Sequence, residues 1–247
     1  MVTAEEFFES ASQLPFGSLE RIVGPRGIVV IAPHPDDETL GCGGLIALAH
    51  DEGRAVKIVV VSDGCGSHPN SKSHPPKALR DLRERETRAA LTILGLDESA
   101  LAFLRLPDRY VPDEGEAAEG AARAIAATVG EIDASAILAT WRHDPHCDHQ
   151  AAWRIAAVAK RLSPGHVALI AYPIWGWSLP PKTPLPAGPK GWRLAIDEAL
   201  PRKRRAIAAH RSQISNLVEN DPPKLVLTEE TLARFEQPYE TYLDAEI

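Results

Sequence analysis

Cysteine is scarce in this chain: Cys42, Cys65 and Cys147 are an odd number, with no CxxC spacing among them. That argues against a disulfide scaffold and for free thiols in a reducing compartment. Long apolar runs are missing as well, since none approaches the roughly 18 residues that a membrane-spanning helix requires. The opening stretch MVTAEEFFESASQLPFGSLE carries acids where a secretory leader would have a basic segment, so a cytoplasmic location is expected. Positive charge is thin too. The 27 Lys and Arg are outnumbered by 34 Asp and Glu for a net charge of −7, and outside Arg202-Lys203-Arg204-Arg205 the cations are scattered. No nucleic-acid footprint results. A neutral or polar small molecule is the partner expected, and a homo-oligomer stays open.

What is present is a regular alternation. Short apolar runs at 27–33, 56–64, 101–108, 135–141 and 166–173 have the composition of strands buried on both faces, as a parallel sheet demands. Segments of helical periodicity lie between them, at 40–53, 76–96, 119–132 and 148–162. Repeated βαβ units predict an α/β fold with a mostly parallel, doubly wound sheet and a ligand crevice at the carboxyl ends of the strands. With 247 residues, one domain over 1–247 accommodates all of it. Two Gly- and Pro-rich stretches, 65–76 and 172–192, follow strands and are expected to overhang the crevice as irregular loops. A last helix is expected over 201–217, with Ile207, His210, Ile214 and Leu217 on one face.

Two clusters carry the chemistry. The first strand runs into His34-Pro35-Asp36-Asp37-Glu38. Helix capping would account for one or two acids, but not for His34 nor for three acids in succession. His34 and Asp37 are three apart, which in a first helical turn lets an imidazole and a carboxylate converge on one cation. The second cluster, TWRHDPHCDHQ, follows the fourth strand and holds His143, His146 and His149 beside Asp144 and Asp148. Strand ends of one parallel sheet face one crevice.

PHPDDE near the first strand, H-x-D-H after a later one, VVSDG at 60–64, Arg83-x-x-Glu86, LPD at 106–108 and AxxxHxSQ at 206–213 together resemble the LmbE/PIG-L family of zinc-dependent N-acetylglucosaminyl deacetylases. The resemblance covers most of the chain and implies a three-layer Rossmann-like fold. It also implies His34, Asp37 and His149 as ligands of Zn2+, with Fe2+ or another divalent ion as the alternative. Asp36 corresponds to the general base, His146 to the group that stabilises the oxyanion and protonates the leaving amine, and Asp148 to the carboxylate that orients His146. Three protein ligands leave a fourth position for water, as in catalytic zinc sites. Cys147 stands where the family usually has Pro, and is expected to be packed and inert. Glu38 is assigned a structural role.

For substrate recognition the resemblance points to Arg83 and Asp108, with a helix ion pair between Arg83 and Glu86 as the alternative. Trp175 and Trp177 are candidates for stacking on a sugar or for anchoring their loop, while His68 and His74 are expected to be solvated. The implied activity is removal of an acyl group, acetyl first, from an N-acylated amino sugar or its conjugate. Two other readings remain: a nucleotide-binding Rossmann protein using Gly41-Cys42-Gly43-Gly44 as its phosphate loop, although the G-x-G-x-x-G spacing is not met, and a non-catalytic metal-binding relative.

Overall fold

The computed structural model describes residues 1–218 and 227–245; residues 219–226 and 246–247 of the expected 1–247 unit lie outside the described residues. A short N-terminal segment, β1 (Val2–Thr3), α1 (Ala4–Ala11) and α2 (Leu19–Val23), precedes the first long strand, β2 (Gly27–Ala32). Helices and strands then alternate: α3 (Asp37–Asp51), β3 (Val56–Ser62), α4 (Pro76–Leu94), β4 (Leu101–Leu106), α5 (Gly115–Glu131), β5 (Ala134–Thr140), α6 (Cys147–Leu162) and β6 (Ala168–Tyr172). The C-terminal part holds β7 (Pro184–Leu185), β8 (Gly191–Ala195), α7 (Leu200–Ala209), α8 (Arg211–Ile214), α9 (Glu229–Phe235) and β9 (Tyr239–Asp244).

The main sheet has the order β4-β3-β2-β5-β6-β9-β8. Its first five strands pair in parallel, and β9 joins antiparallel to both β6 and β8. Alternation along β2 builds the layers, because successive side chains leave opposite faces. Ile28, Val30 and Ala32 pack with α3, α4 and α7, while Val29 and Ile31 pack with α1, α5 and α6. From β2 the chain first winds outward through β3 and β4, then returns to add β5 on the other side. Neighbouring strands β2 and β5 therefore flank the point where the winding reverses, and the loops at their carboxyl ends open onto one crevice.

Gly41, Gly43 and Gly44 lie inside α3 rather than in a loop. A Cβ on Gly41 would come within 2.2 Å of the Tyr172 ring, and one on Gly44 within 2.6 Å of Ile196. These glycines allow α3 to sit close against its neighbours, which removes the phosphate loop from the nucleotide-binding reading.

Two expected segments differ. The stretch 172–192 is pinned rather than irregular throughout: it contains a 3-10 turn at Trp175–Ser178, β7 pairs antiparallel with β1, and its last residues start β8. The helix expected over 201–217 breaks at His210, whose ψ of 55° separates α7 from α8. Tertiary partners override the helical pattern there. His210 turns its Nε2 to Thr39 Oγ1 at 3.2 Å, and Ser212 gives its N–H and hydroxyl to the Glu86 carboxylate at 2.8 and 2.6 Å.

Candidate metal centre

The turn after β2 places His34 and then the first residue of α3, Asp37, whose Oδ2 accepts the His34 backbone N–H at 2.9 Å. The turn after β5 delivers His146 as the cap of α6, with His149 one turn inside the helix. Three donor atoms converge: His34 Nδ1 lies 3.2 Å from Asp37 Oδ2, His149 Nε2 lies 3.2 Å from the same oxygen, and the two nitrogens are 3.2 Å apart. A tetrahedral ion with ligands at its usual N and O distances spaces them by about 3.3 Å. The triangle has the size of one face of such a site.

A carboxylate on the far side of each ring aims the lone pairs inward. His34 Nε2 faces two carboxylates, Asp148 Oδ2 at 3.0 Å and Asp108 Oδ1 at 3.3 Å, so that nitrogen carries the proton and Nδ1 is the acceptor. His149 Nδ1 lies 3.3 Å from Asp144 Oδ1, an ion-pair contact rather than an aligned hydrogen bond. The same logic leaves the His149 Nε2 lone pair facing the triangle.

The charges around the triangle call for a cation. Burial works to lower the His34 pKa, yet hydrogen bonds that the ring donates to Asp108, Asp148 and Asp37 outweigh it and raise the ring well above the ordinary imidazole range. Burial opposes His149 in the same way, and Asp37 with Asp144 carries it up to about 9. Asp37, although buried, is held far below the carboxylate range by His149 and His34. Without a metal, protons on the two rings offset these carboxylates; a divalent ion bound by the same donors would replace them. The donor set, its spacing and its tautomers fit such an ion.

Asp36 borders the triangle at φ 142°, ψ −26°, a backbone conformation that a non-glycine residue holds only under constraint. Burial pushes its carboxyl up to about 7, with Arg83 opposing and Asp37 adding to the rise. Arg83 supplies the constraint: it donates to Pro35 O at 2.7 Å, Gly64 O at 3.1 Å and Asp36 Oδ2 at 3.2 Å. Its expected alternative partner, Glu86, is engaged by Ser212 instead. Below Asp36, Glu38 is fully buried and accepts the Asp36 N–H at 3.2 Å and the Thr39 hydroxyl at 2.8 Å. Burial, with the Asp36 charge adding, raises Glu38 to about 8.

Other sequence candidates take different places. The Asp148 carboxylate, expected to orient His146, has other hydrogen-bond partners: its oxygens accept Arg109 N–H at 2.6 Å and Val111 N–H at 3.1 Å and face His34. Being the second residue of the α6 N-terminus, its backbone N–H donates to His146 Nδ1 at 3.2 Å while its carboxylate reaches across to the β2 side. Burial, then the His34 and His149 charges, lower His146 to about 4, so it is neutral near pH 7 with its proton on Nε2. Asp108 accepts Gly66 N–H at 2.7 Å and backs His34. Cys147, expected to be packed, is exposed as a residue, with its Sγ 3.6 Å from Arg109 O.

A cleft of about 200 Å³ opens beside the triangle, lined by His34, Asp36, Arg83, His146, Trp175 and Gln213 among others. Trp177 is not on it. That ring packs on Phe8, centroids 4.5 Å apart, and borders a separate, larger cavity of about 390 Å³. His68, expected in solvent, is buried. Sequence reasoning gave Asp144 no role, although it is fully buried and accepts N–H groups of Ile174, Trp175 and Gly176 at 3.3, 2.8 and 3.1 Å besides backing His149. Its place in a dense His/Asp run was the available signal. Gln213 was visible only as part of AxxxHxSQ.

Residues 29–160 match the family described as PIG-L, GlcNAc-PI de-N-acetylase. Among curated proteins, the chain is 27% identical over 198 residues to a probable N-acetyl-alpha-D-glucosaminyl L-malate deacetylase 2 of Bacillus anthracis, covering 78% of this chain and 84% of that protein. Among solved structures, it resembles the conserved protein TT1542 of Thermus thermophilus with a TM-score of 0.64 and 27% identity, over 89% of this chain and 94% of that one. The A40926 pseudoaglycone deacetylase Dbv21 has the same fold, with a TM-score of 0.63 at 23% identity over 88% and 96% of the two chains.

Proposed function

The chain belongs to the PIG-L family of GlcNAc-PI de-N-acetylases, and from that premise we propose that it hydrolyses the acetamide of an N-acetylated amino sugar carried on a conjugate. The observation that carries this reading is the triangle of His34 Nδ1, Asp37 Oδ2 and His149 Nε2, 3.2 Å on each side, with a constrained carboxylate next to it. Zn2+ suits two imidazoles and a carboxylate, and Fe2+ suits them as well. A divalent ion held there would supply Lewis acidity, which acidifies water and polarises an amide carbonyl.

The chain's own groups divide the remaining work. Asp36 accepts the proton of the attacking water, and the Arg83 contacts keep its carboxylate aimed at the cleft. A base whose pKa lies near the working pH transfers protons efficiently. His146, neutral with its proton on Nε2, donates a hydrogen bond to the developing oxyanion, and the proton that Asp36 takes from water passes on to the nitrogen, because an amine leaves only when protonated. Asp148 and Asp108 act through His34 by fixing its ring. Trp175 on the cleft wall offers a face to a sugar, and Arg83 and Asp108 act here as positioning residues.

The relative from Bacillus anthracis is named for an N-acetylglucosaminyl malate, which makes that conjugate the first substrate to test. Zinc-loaded protein should release acetate and a free amine from it or from related N-acetylglucosaminyl conjugates, and metal-stripped protein should not. Absence of amine release from such a panel by fully metal-loaded protein would contradict the proposal.

A further inference from the structure

Beside the triangle lies a second set of donors. His146, Cys147 and Asp148 each offer one ligand atom, and these atoms lie within 4.8 Å of one another. The Cys147 thiol is open to solvent, and its Sγ is 3.7 Å from Asp148 Oδ1. A tetrahedral ion at its usual distances from a thiolate sulfur and a carboxylate oxygen separates those two atoms by about 3.6 Å. Asp148 Oδ1 accepts the Val111 N–H at 3.1 Å and the Cys147 S–H at 3.7 Å, and loss of the thiol proton frees the second lone pair for a metal. The carbonyl oxygen of Arg109, 3.6 Å from Sγ, borders the same spot.

We propose that His146, Cys147 and Asp148 form an inhibitory site for a thiophilic divalent ion, Cd2+ or excess Zn2+, separate from the triangle. Softness sets the order of filling and the signature: the triangle has only nitrogen and oxygen donors, whereas the second set contains sulfur. On binding, the S–H bond breaks, its proton goes to solvent, and the thiolate electron pair forms the bond to the metal. No oxidation state changes. The inhibition, which rests on the proposed function, follows because the ion takes the His146 Nδ1 lone pair in place of the Asp148 N–H that now holds the ring, so the ring turns and its Nε2–H is no longer aimed at substrate.

The test uses full-length protein loaded with one equivalent of zinc and titrated with CdCl2, following the cadmium–thiolate charge-transfer absorption, bound metal per chain and amine release. Wild type should take up a second equivalent with that absorption, and turnover should fall roughly 10²-fold, the scale of a lost oxyanion donor. Cys147→Ser should keep the first equivalent and an unloaded turnover within about twofold of wild type, and lose both the absorption and the inhibition. Cys147→Pro is the second variant, since proline suits the first position of a helix. Wild type without the absorption, absorption or a second equivalent that survives both substitutions, or cadmium inhibition that persists in them, would each overturn the proposal. Should no substrate be turned over, the absorption and the metal count still decide it, so a failed functional reading is distinguishable from a failed second site.

Discussion

Asp36 sits at a φ that favours glycine, and Arg83 holds it there by donating to Pro35 O, Gly64 O and the Asp36 carboxylate, so the carboxylate is placed at the cost of local strain. Replacing it with asparagine keeps the shape and removes the base. Asp36→Asn should retain stoichiometric metal and lose roughly 10² to 10⁴ in turnover, measured by metal analysis beside amine release; near-normal turnover would assign the base to another group. His149→Ala should do the opposite first. It takes away one of three ligands and leaves Asp144 facing a void, and metal retention by dialysis should drop by about 10-fold or more. At this scale the sequence was a good guide to which residues gather, because i, i+3 spacing at two strand ends puts donors on one side. It was a poor guide to what each one touches. Asp148 follows two residues after His146, and nothing in that spacing shows its carboxylate reaching His34 on another element.

The helix α3 connects the centre to the packing behind it. The space beside its glycines is filled by Tyr172, Lys203 and Ile196, and the Glu240 carboxylate on β9 accepts the N–H groups of Gly44 and Leu45 at 2.7 and 2.8 Å while pairing with Lys203 at 2.7 Å. Gly41→Ala would push a methyl group into the Tyr172 ring, whose hydroxyl is fixed to Ile31 O at 2.6 Å. Overpacking of that kind costs about 1–3 kcal/mol, and thermal unfolding should show a lower Tm; an unchanged Tm would mean that the helix shifts freely. The parallel strands β2 to β6 were legible since their burial on both faces leaves near-continuous apolar runs. Strand β9, YETYLD, was not, because its buried Glu240 is satisfied by Gly44, Leu45 and Lys203, far away in sequence. The break at His210 was hidden for the same reason: the helical period continues through it, and only Thr39, Glu38 and Glu86 end the helix.

For the molecule as a whole, the charge of the metal-free centre couples folding to pH. His149 has an ordinary value of 6.5, raised to about 9 in the folded chain. Its contribution is therefore complete below pH 6.5 and lost as pH rises through 9. Glu38, raised to about 8, has the same sign, since its protonated form is favoured by folding and its ionisation above that pH is not. Metal-stripped protein should accordingly lose stability between about pH 7 and 9, on the order of 1–3 kcal/mol, in urea melts. Metal-loaded protein should show a much flatter profile, because the ion takes the place of the imidazole protons. A metal-free protein whose stability rises over that window would contradict the sign.

The most direct test is the position of the metal. Crystals of the protein carrying one equivalent of zinc, measured on both sides of the zinc absorption edge, should give a single anomalous peak bonded to His34 Nδ1, Asp37 Oδ2 and His149 Nε2. A peak that avoids these three atoms, or none at all from zinc-replete protein, would contradict the account.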